Sequence, residues 1–216
     1  MIAKYDLFLF DFDGLLVNTE ELHYRAYGEL LSRHGATLGL DFPAYAAIAL
    51  TSADGLRRHI AMRAPHLDAE WESTYAEKKQ IYLELLMRGA VELMPGASEF
   101  LEQLGEKRRC VVTNSPRMHI DAVRKARPEL DLIPHWITRE DYAAPKPAPD
   151  GYLLAQKLYG KPGDRVIGFE DSLRGTRSLI AAGVTPVVIA PAPYPELGDD
   201  VLQVTSFHHL ISKDGP

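Results

Sequence analysis

Four short apolar runs govern what this chain can fold into: Leu7 to Phe10, Cys110 to Thr113, Val166 to Phe169 and Val187 to Ala190. Such runs, lacking the apolar/polar alternation of a half-exposed strand, suit strands buried on both faces. Between them lie segments with helical spacing: Ala97, Phe100, Leu101 and Leu104, then Ile120 and Val123, then Tyr152, Leu153, Ala155 and Leu158. Strand alternating with helix predicts an α/β fold, a Rossmann-like three-layer core around a central parallel sheet.

The rhythm breaks once. From Asn18 to Met94 no segment reads as a strand, and the pattern is that of consecutive amphipathic helices. The expected organisation is therefore a core of residues 1–17 and 95–216 with a helical domain, 18–94, inserted in it. Asn18 and Glu21 have the spacing of a capping box for the first helix. The stretch Asp68 to Arg88 places Trp71, Tyr75, Ile81, Leu85 and Leu86 near one face of a long helix. Two loops are rich in proline, Ala143 to Pro149 and Pro191 to Pro195.

Composition excludes several classes. With 46% hydrophobic and 25% charged residues, the chain sits outside the disordered and membrane ranges. A net charge of −6, with no stripe of Lys and Arg, gives no footprint for nucleic acid. The single cysteine, Cys110, cannot form an intramolecular disulfide and reads as a core residue before Val111 and Val112. Met1 to Phe10 holds no apolar stretch long enough for a signal peptide or a span, so a cytoplasmic protein with no membrane partner is expected. No Gly-x-Gly-x-x-Gly loop follows the first run, which disfavours dinucleotides.

In open parallel sheets ligands bind beyond the carboxyl ends of the strands. Four polar clusters fall at or near such places. Asp11-Phe12-Asp13-Gly14 puts two carboxylates two residues apart, so that in an extended segment both face one side; an ordinary turn accounts for them equally well. Thr113-Asn114-Ser115 offers hydroxyl and amide groups to a phosphoryl oxygen, or simple caps before Pro116. Lys146, between Pro145 and Pro147, is either aimed by a stiff backbone or exposed in a stiff loop. Glu170-Asp171-Ser172 suits an oxygen-loving divalent cation, or a solvated turn.

Taken together, these residues resemble the haloacid dehalogenase-like superfamily, and within it the members with a helical cap after the first strand, such as beta-phosphoglucomutase and the small-metabolite phosphatases. The resemblance runs through Asp11 to Glu20, Thr113-Asn114-Ser115, Lys146-Pro147 and Gly168-Phe169-Glu170-Asp171-Ser172. It implies a parallel sheet beneath a mobile cap and a Mg2+ ion held by Asp11, Asp171 and the backbone carbonyl of Asp13, with Glu170 as ligand or as orienter of its waters. Asp11 is then the nucleophile that forms an aspartyl-phosphate, and Asp13 the acid and base. Thr113, Asn114 and Lys146 are the phosphate holders. His23 falls where the resemblance has a substrate-side histidine, although a helix surface explains it too. An arginine expected of a mutase is missing, since Ser52 and Ala53 occupy its stretch; Arg57 and Arg58 read as a solvated face.

The expected activity is hydrolysis of a small phosphorylated metabolite, with sugar phosphates the favoured class, by a monomer or weak homodimer. Phosphoryl transfer in the manner of beta-phosphoglucomutase, or a non-catalytic binding module, are the alternatives.

Overall fold

The computed structural model describes residues 2–49, 53–89 and 91–211. Its strands are β1 Leu7–Phe10, β2 Arg108–Val112, β3 His135–Ile137, β4 Val166–Glu170, β5 Thr185–Ile189 and β6 Leu202–Val204. They form one parallel sheet in the order β3-β2-β1-β4-β5-β6. The α-helices are α1 Thr19–Arg33, α2 Phe42–Ala49, α3 Ala53–Arg63, α4 Pro65–Ala69, α5 Trp71–Met87, α6 Ala97–Gln103, α7 Arg117–Ala126, α8 Asp150–Tyr159 and α9 Leu173–Ala181. Among the described residues no helix is long and apolar enough to cross a membrane.

The continuous run of β1 divides by twos between the faces of the sheet. Leu7 and Leu9 join Cys110, Val112, Tyr152, Ala155 and Leu179, which brings α8 and α9 onto one face. Phe10 meets the rings of Phe169 and Phe100 on the other, at 4.9 and 6.3 Å, and Phe8 stacks on Phe169. Phe207 closes that cluster against Phe100. Each such buried ring contributes roughly 1.5–3 kcal/mol of transfer free energy. The sheet is thus an apolar middle layer with helices on both sides, as the uninterrupted runs predict.

Sequence patterning predicts four strands and the sheet has six. The two it misses, β3 and β6, are the edges. Each has three residues, His-Trp-Ile and Leu-Gln-Val, because an edge strand has only one neighbour and carries no long apolar run. The expected face of α8 also needs correction. Leu153 and Leu158 are 48% and 55% exposed, and the helix instead turns Gly151, Tyr152 and Ala155 inward. Two small residues let α8 lie close to the sheet, which displaces the neighbouring leucines outward.

By its own contacts the chain forms two compact units, Met1–Asn18 with Glu92–Pro216, and Thr19–Val91. In the second, α1 packs along α5 through Leu22, Ala26, Tyr27, Leu30 and Leu31. The long helix expected from Asp68 onward is interrupted at Glu70, between α4 and α5. Its buried stripe is Thr74, Lys78, Ile81, Tyr82, Leu85 and Leu86. Trp71 and Tyr75 lie off that stripe and stack on each other, with Arg57 and Lys79 over their rings.

Candidate active site

The strand order reverses direction between β1 and β4, and it is the ends of these two strands that carry acids. Asp11 follows β1 and continues its ladder, its N–H donating to Phe169 O at 3.0 Å. Glu170 ends β4, and Asp171 follows it. Carboxylate oxygens of Asp11, Glu170 and Asp171 all lie within 4.8 Å of one another. Two chain segments about 160 residues apart in sequence thus meet because parallel pairing in register, Phe10 with Phe169, aligns their ends. Gly14, at φ +78°, makes the turn after Asp13; a Cβ there would overlap the Asp171 carboxylate.

Lys146 enters this cluster from the loop before α8. Its ammonium donates to Asp11 Oδ1 at 2.5 Å, to Glu170 Oε1 at 2.7 Å and to Val112 O at 2.8 Å. The loop is fixed by the Asn114 side chain, whose Oδ1 accepts the Lys146 N–H at 3.1 Å and the Tyr142 hydroxyl at 2.8 Å. The Lys146-Pro147 peptide is cis. Of the two readings of this lysine, the structure has the aimed one: it is only 7% exposed.

Glu170 is fully buried and receives a second donor on the same oxygen, the Tyr152 hydroxyl at 2.5 Å. Burial, and then the neighbouring Asp11 charge, push its pKa up to about 7. Asp171 is raised well above the usual carboxylate range, again by burial first and then by Asp11 and Glu170. Burial works against the charge on Lys146; Asp11 and Glu170 outweigh it and hold the ammonium above the ordinary lysine range. Three carboxyl groups share one ammonium in a nearly dry site, and the raised proton affinity of Glu170 and Asp171 is what that crowding produces. An all-oxygen donor set of this kind fits a hard divalent cation such as Mg2+.

Thr113 and Ser115, beyond β2, both direct their hydroxyls at Asp13 Oδ2, Ser115 at 2.5 Å and Thr113 at a longer 3.3 Å. The Ser115 N–H in turn donates to Thr113 Oγ1 at 2.9 Å. Asp11, Asp13, Thr113, Asn114, Lys146, Glu170 and Asp171 are therefore linked in one network or cluster. His23 belongs to the helical unit. Its ring stacks on Tyr82 at 4.2 Å, and its Nδ1 is 2.6 Å from the buried Lys78 Nζ. Arg57 pairs with Asp68 at 2.7 Å and Arg58 is exposed, as a solvated face requires. Thr51 and Ser52, within the stretch where a mutase arginine is missing, lie outside the described residues.

Four contributors escape sequence reasoning: Ser115 as a hydroxyl partner of Asp13, Tyr142 and Tyr152 as hydroxyl donors, and Lys78 beside His23. Tyr152 has the spacing of a core residue, and nothing in the pattern reveals where its hydroxyl points.

Residues 5–183 match the haloacid dehalogenase-like hydrolase family. The chain is 32% identical to protein CbbY of Rhodobacter capsulatus over 202 residues, which is 89% of this chain and 87% of that protein. It is 30% identical to validoxylamine A 7'-phosphate phosphatase of Streptomyces hygroscopicus subsp. limoneus, over 83% of each. The crystal structure of a CbbY variant from Rhodobacter sphaeroides in complex with xylulose-(1,5)bisphosphate superposes with a TM-score of 0.68 at 25% identity, covering 95% of this chain and 96% of that one.

Proposed function

The chain belongs to the haloacid dehalogenase-like hydrolase family, and we propose that this phosphoric monoester hydrolase acts on a small phosphorylated metabolite of the sugar phosphate class, through an aspartyl-phosphate on Asp11. One observation carries the reading: carboxylates from the ends of β1 and β4 converge within 4.8 Å, with the Lys146 ammonium held between Asp11 and Glu170. The sugar phosphate class rests on the relatives, one of which is in complex with xylulose-(1,5)bisphosphate and another of which is a validoxylamine A 7'-phosphate phosphatase.

Asp11 and Asp171, with the Asp13 carbonyl, would hold Mg2+, which when bound screens the substrate's charge and polarises phosphorus. Lys146 occupies Asp11 Oδ1, and Oδ2 takes no hydrogen bond from the described residues, so Oδ2 is the oxygen left to attack. Attack splits one difficult displacement into two easier ones. Asp13, which accepts the Ser115 and Thr113 hydroxyls at Oδ2, is the acid and base of the proposed reaction. It protonates the departing alkoxide and then takes the proton of the water that cleaves the acyl phosphate. Thr113 and Lys146 steady the equatorial oxygens as charge redistributes. Asn114 contributes through the backbone: its side-chain oxygen holds the Lys146 loop. Glu170 Oε1 is bound to Lys146 and Tyr152 and its Oε2 takes the Ser172 hydroxyl at 3.4 Å, which favours Glu170 as an orienter of the ion's waters.

The test is release of inorganic phosphate from an aryl phosphate and from a panel of sugar phosphates, with and without Mg2+. Wild type should turn over only with the metal, and Asp11→Asn should lose activity by about a thousandfold or more while keeping its circular dichroism spectrum. Full activity in that variant would remove Asp11 from the role. Isomerised sugar without free phosphate would point instead to transfer from the aspartyl-phosphate to a second hydroxyl of the substrate.

A further inference from the structure

The proline-rich segment Pro191 to Pro195 lies between β5 and the edge strand β6, and the chemistry above makes no use of it. It has a specific structure. Pro195 disfavours a helical conformation for the residue before it, and Tyr194 is extended, at φ −100° and ψ 99°. Its backbone N–H and C=O are thereby turned outward as in a strand, and the side chain of Gln203, the middle residue of β6, takes both. The Tyr194 N–H donates to Gln203 Oε1 at 2.7 Å, and Gln203 Nε2 donates to Tyr194 O at 3.2 Å. A side-chain amide here does what a neighbouring strand would do.

Held in this way, Tyr194 extends its hydroxyl to the backbone carbonyl of Asp171, 2.9 Å away. That carbonyl stands just outside α9, whose ladder starts one residue later, where Ser172 O accepts the Thr176 N–H. Ser172 also caps α9 with its hydroxyl, accepting the Gly175 N–H at 3.1 Å. Asp171 is thus pinned on its C-terminal side by the helix cap and at its own carbonyl by Tyr194.

We propose that Tyr194 is a positioning residue for Asp171, and that β6 reaches the catalytic centre through Gln203 and Tyr194. The inference rests on the reading of Asp171 as a magnesium ligand. A carboxylate whose backbone can rock spends part of its time out of reach of a shared ion, and partners that orient a ligand are worth roughly 10–100-fold in metal affinity.

The test is calorimetric titration of the metal-free protein with MgCl2, alongside melting temperature in metal-free buffer. Tyr194→Phe keeps the ring and removes only the hydroxyl; it should weaken Mg2+ binding about tenfold. At saturating Mg2+, kcat should stay within about twofold of wild type, and the metal-free melting temperature should not move. Gln203→Ala should shift Mg2+ affinity in the same direction. If both variants bind Mg2+ as wild type does, the assignment is wrong. A metal-free melting temperature that falls in step with affinity overturns it as well, since Tyr194 would then be a packing residue. A wild type with neither Mg2+ heat nor Mg2+-dependent turnover would instead sink the underlying reading of Asp171.

Discussion

Lys146 shows how much one residue carries in this site. It is the only ammonium hydrogen-bonded to the acidic cluster among the described residues, and it touches two of the three carboxylates. Removing one partner of a buried ion pair leaves an uncompensated charge, at a cost of about 3–5 kcal/mol. Lys146→Met should therefore lower the stability of the metal-free protein by about that amount, read as a lower urea midpoint with an unchanged slope. The same variant should bind vanadate more weakly; an unchanged inhibition constant would make the lysine a structural counter-ion alone. Sequence placed Lys146 in a stiff loop but left its direction open, because the aim comes from Asn114, Tyr142 and the strand ends together.

At the scale of elements, α5 carries a cost that its sequence conceals. Lys78 sits on the buried stripe facing α1, with its Nζ 4.8 Å from the Tyr27 ring centroid and 5.2 Å from that of Tyr82. Burial pulls its pKa down from 10.5 to about 8, with Glu20 opposing and Lys79 assisting. A depressed folded-state pKa means that the unfolded chain binds more protons between the two values. The contribution is full above about 10.5 and is lost as pH falls through about 8. Wild type should gain stability relative to Lys78→Met from pH 8 to 10, with a slope of up to about 1.4 kcal/mol per pH unit. Parallel stability curves for the two proteins across that window would show that the ammonium is not strained by burial. Patterning places Trp71 and Tyr75 on this face with Ile81, Leu85 and Leu86; the last three lie on the buried stripe, and Lys78 and Tyr82 take the places of the first two.

For the whole molecule, the sheet-bearing unit crowds three carboxyl groups at the point where the strand order reverses, and a bound cation that lets them ionise should add stability. Mg2+ that binds only the folded state stabilises it by about 2.7 kcal/mol at a hundred times its dissociation constant. The melting temperature should rise with Mg2+ and fall back with a chelator, and the rise should vanish in Asp171→Ala. A melting temperature indifferent to Mg2+ would count against the ion. The family resemblance and the interior of the sheet were legible in the sequence, since strands buried on both faces must be apolar throughout and must end in the polar residues of the site. Edge strands, the inward face of α8 and the hydroxyls that hold Glu170, Asp13 and Asp171 were not. An apolar run records burial, which each residue carries in its own side chain. Which partner a buried polar group meets depends on distant segments brought together by parallel pairing, and only the tertiary structure decides that.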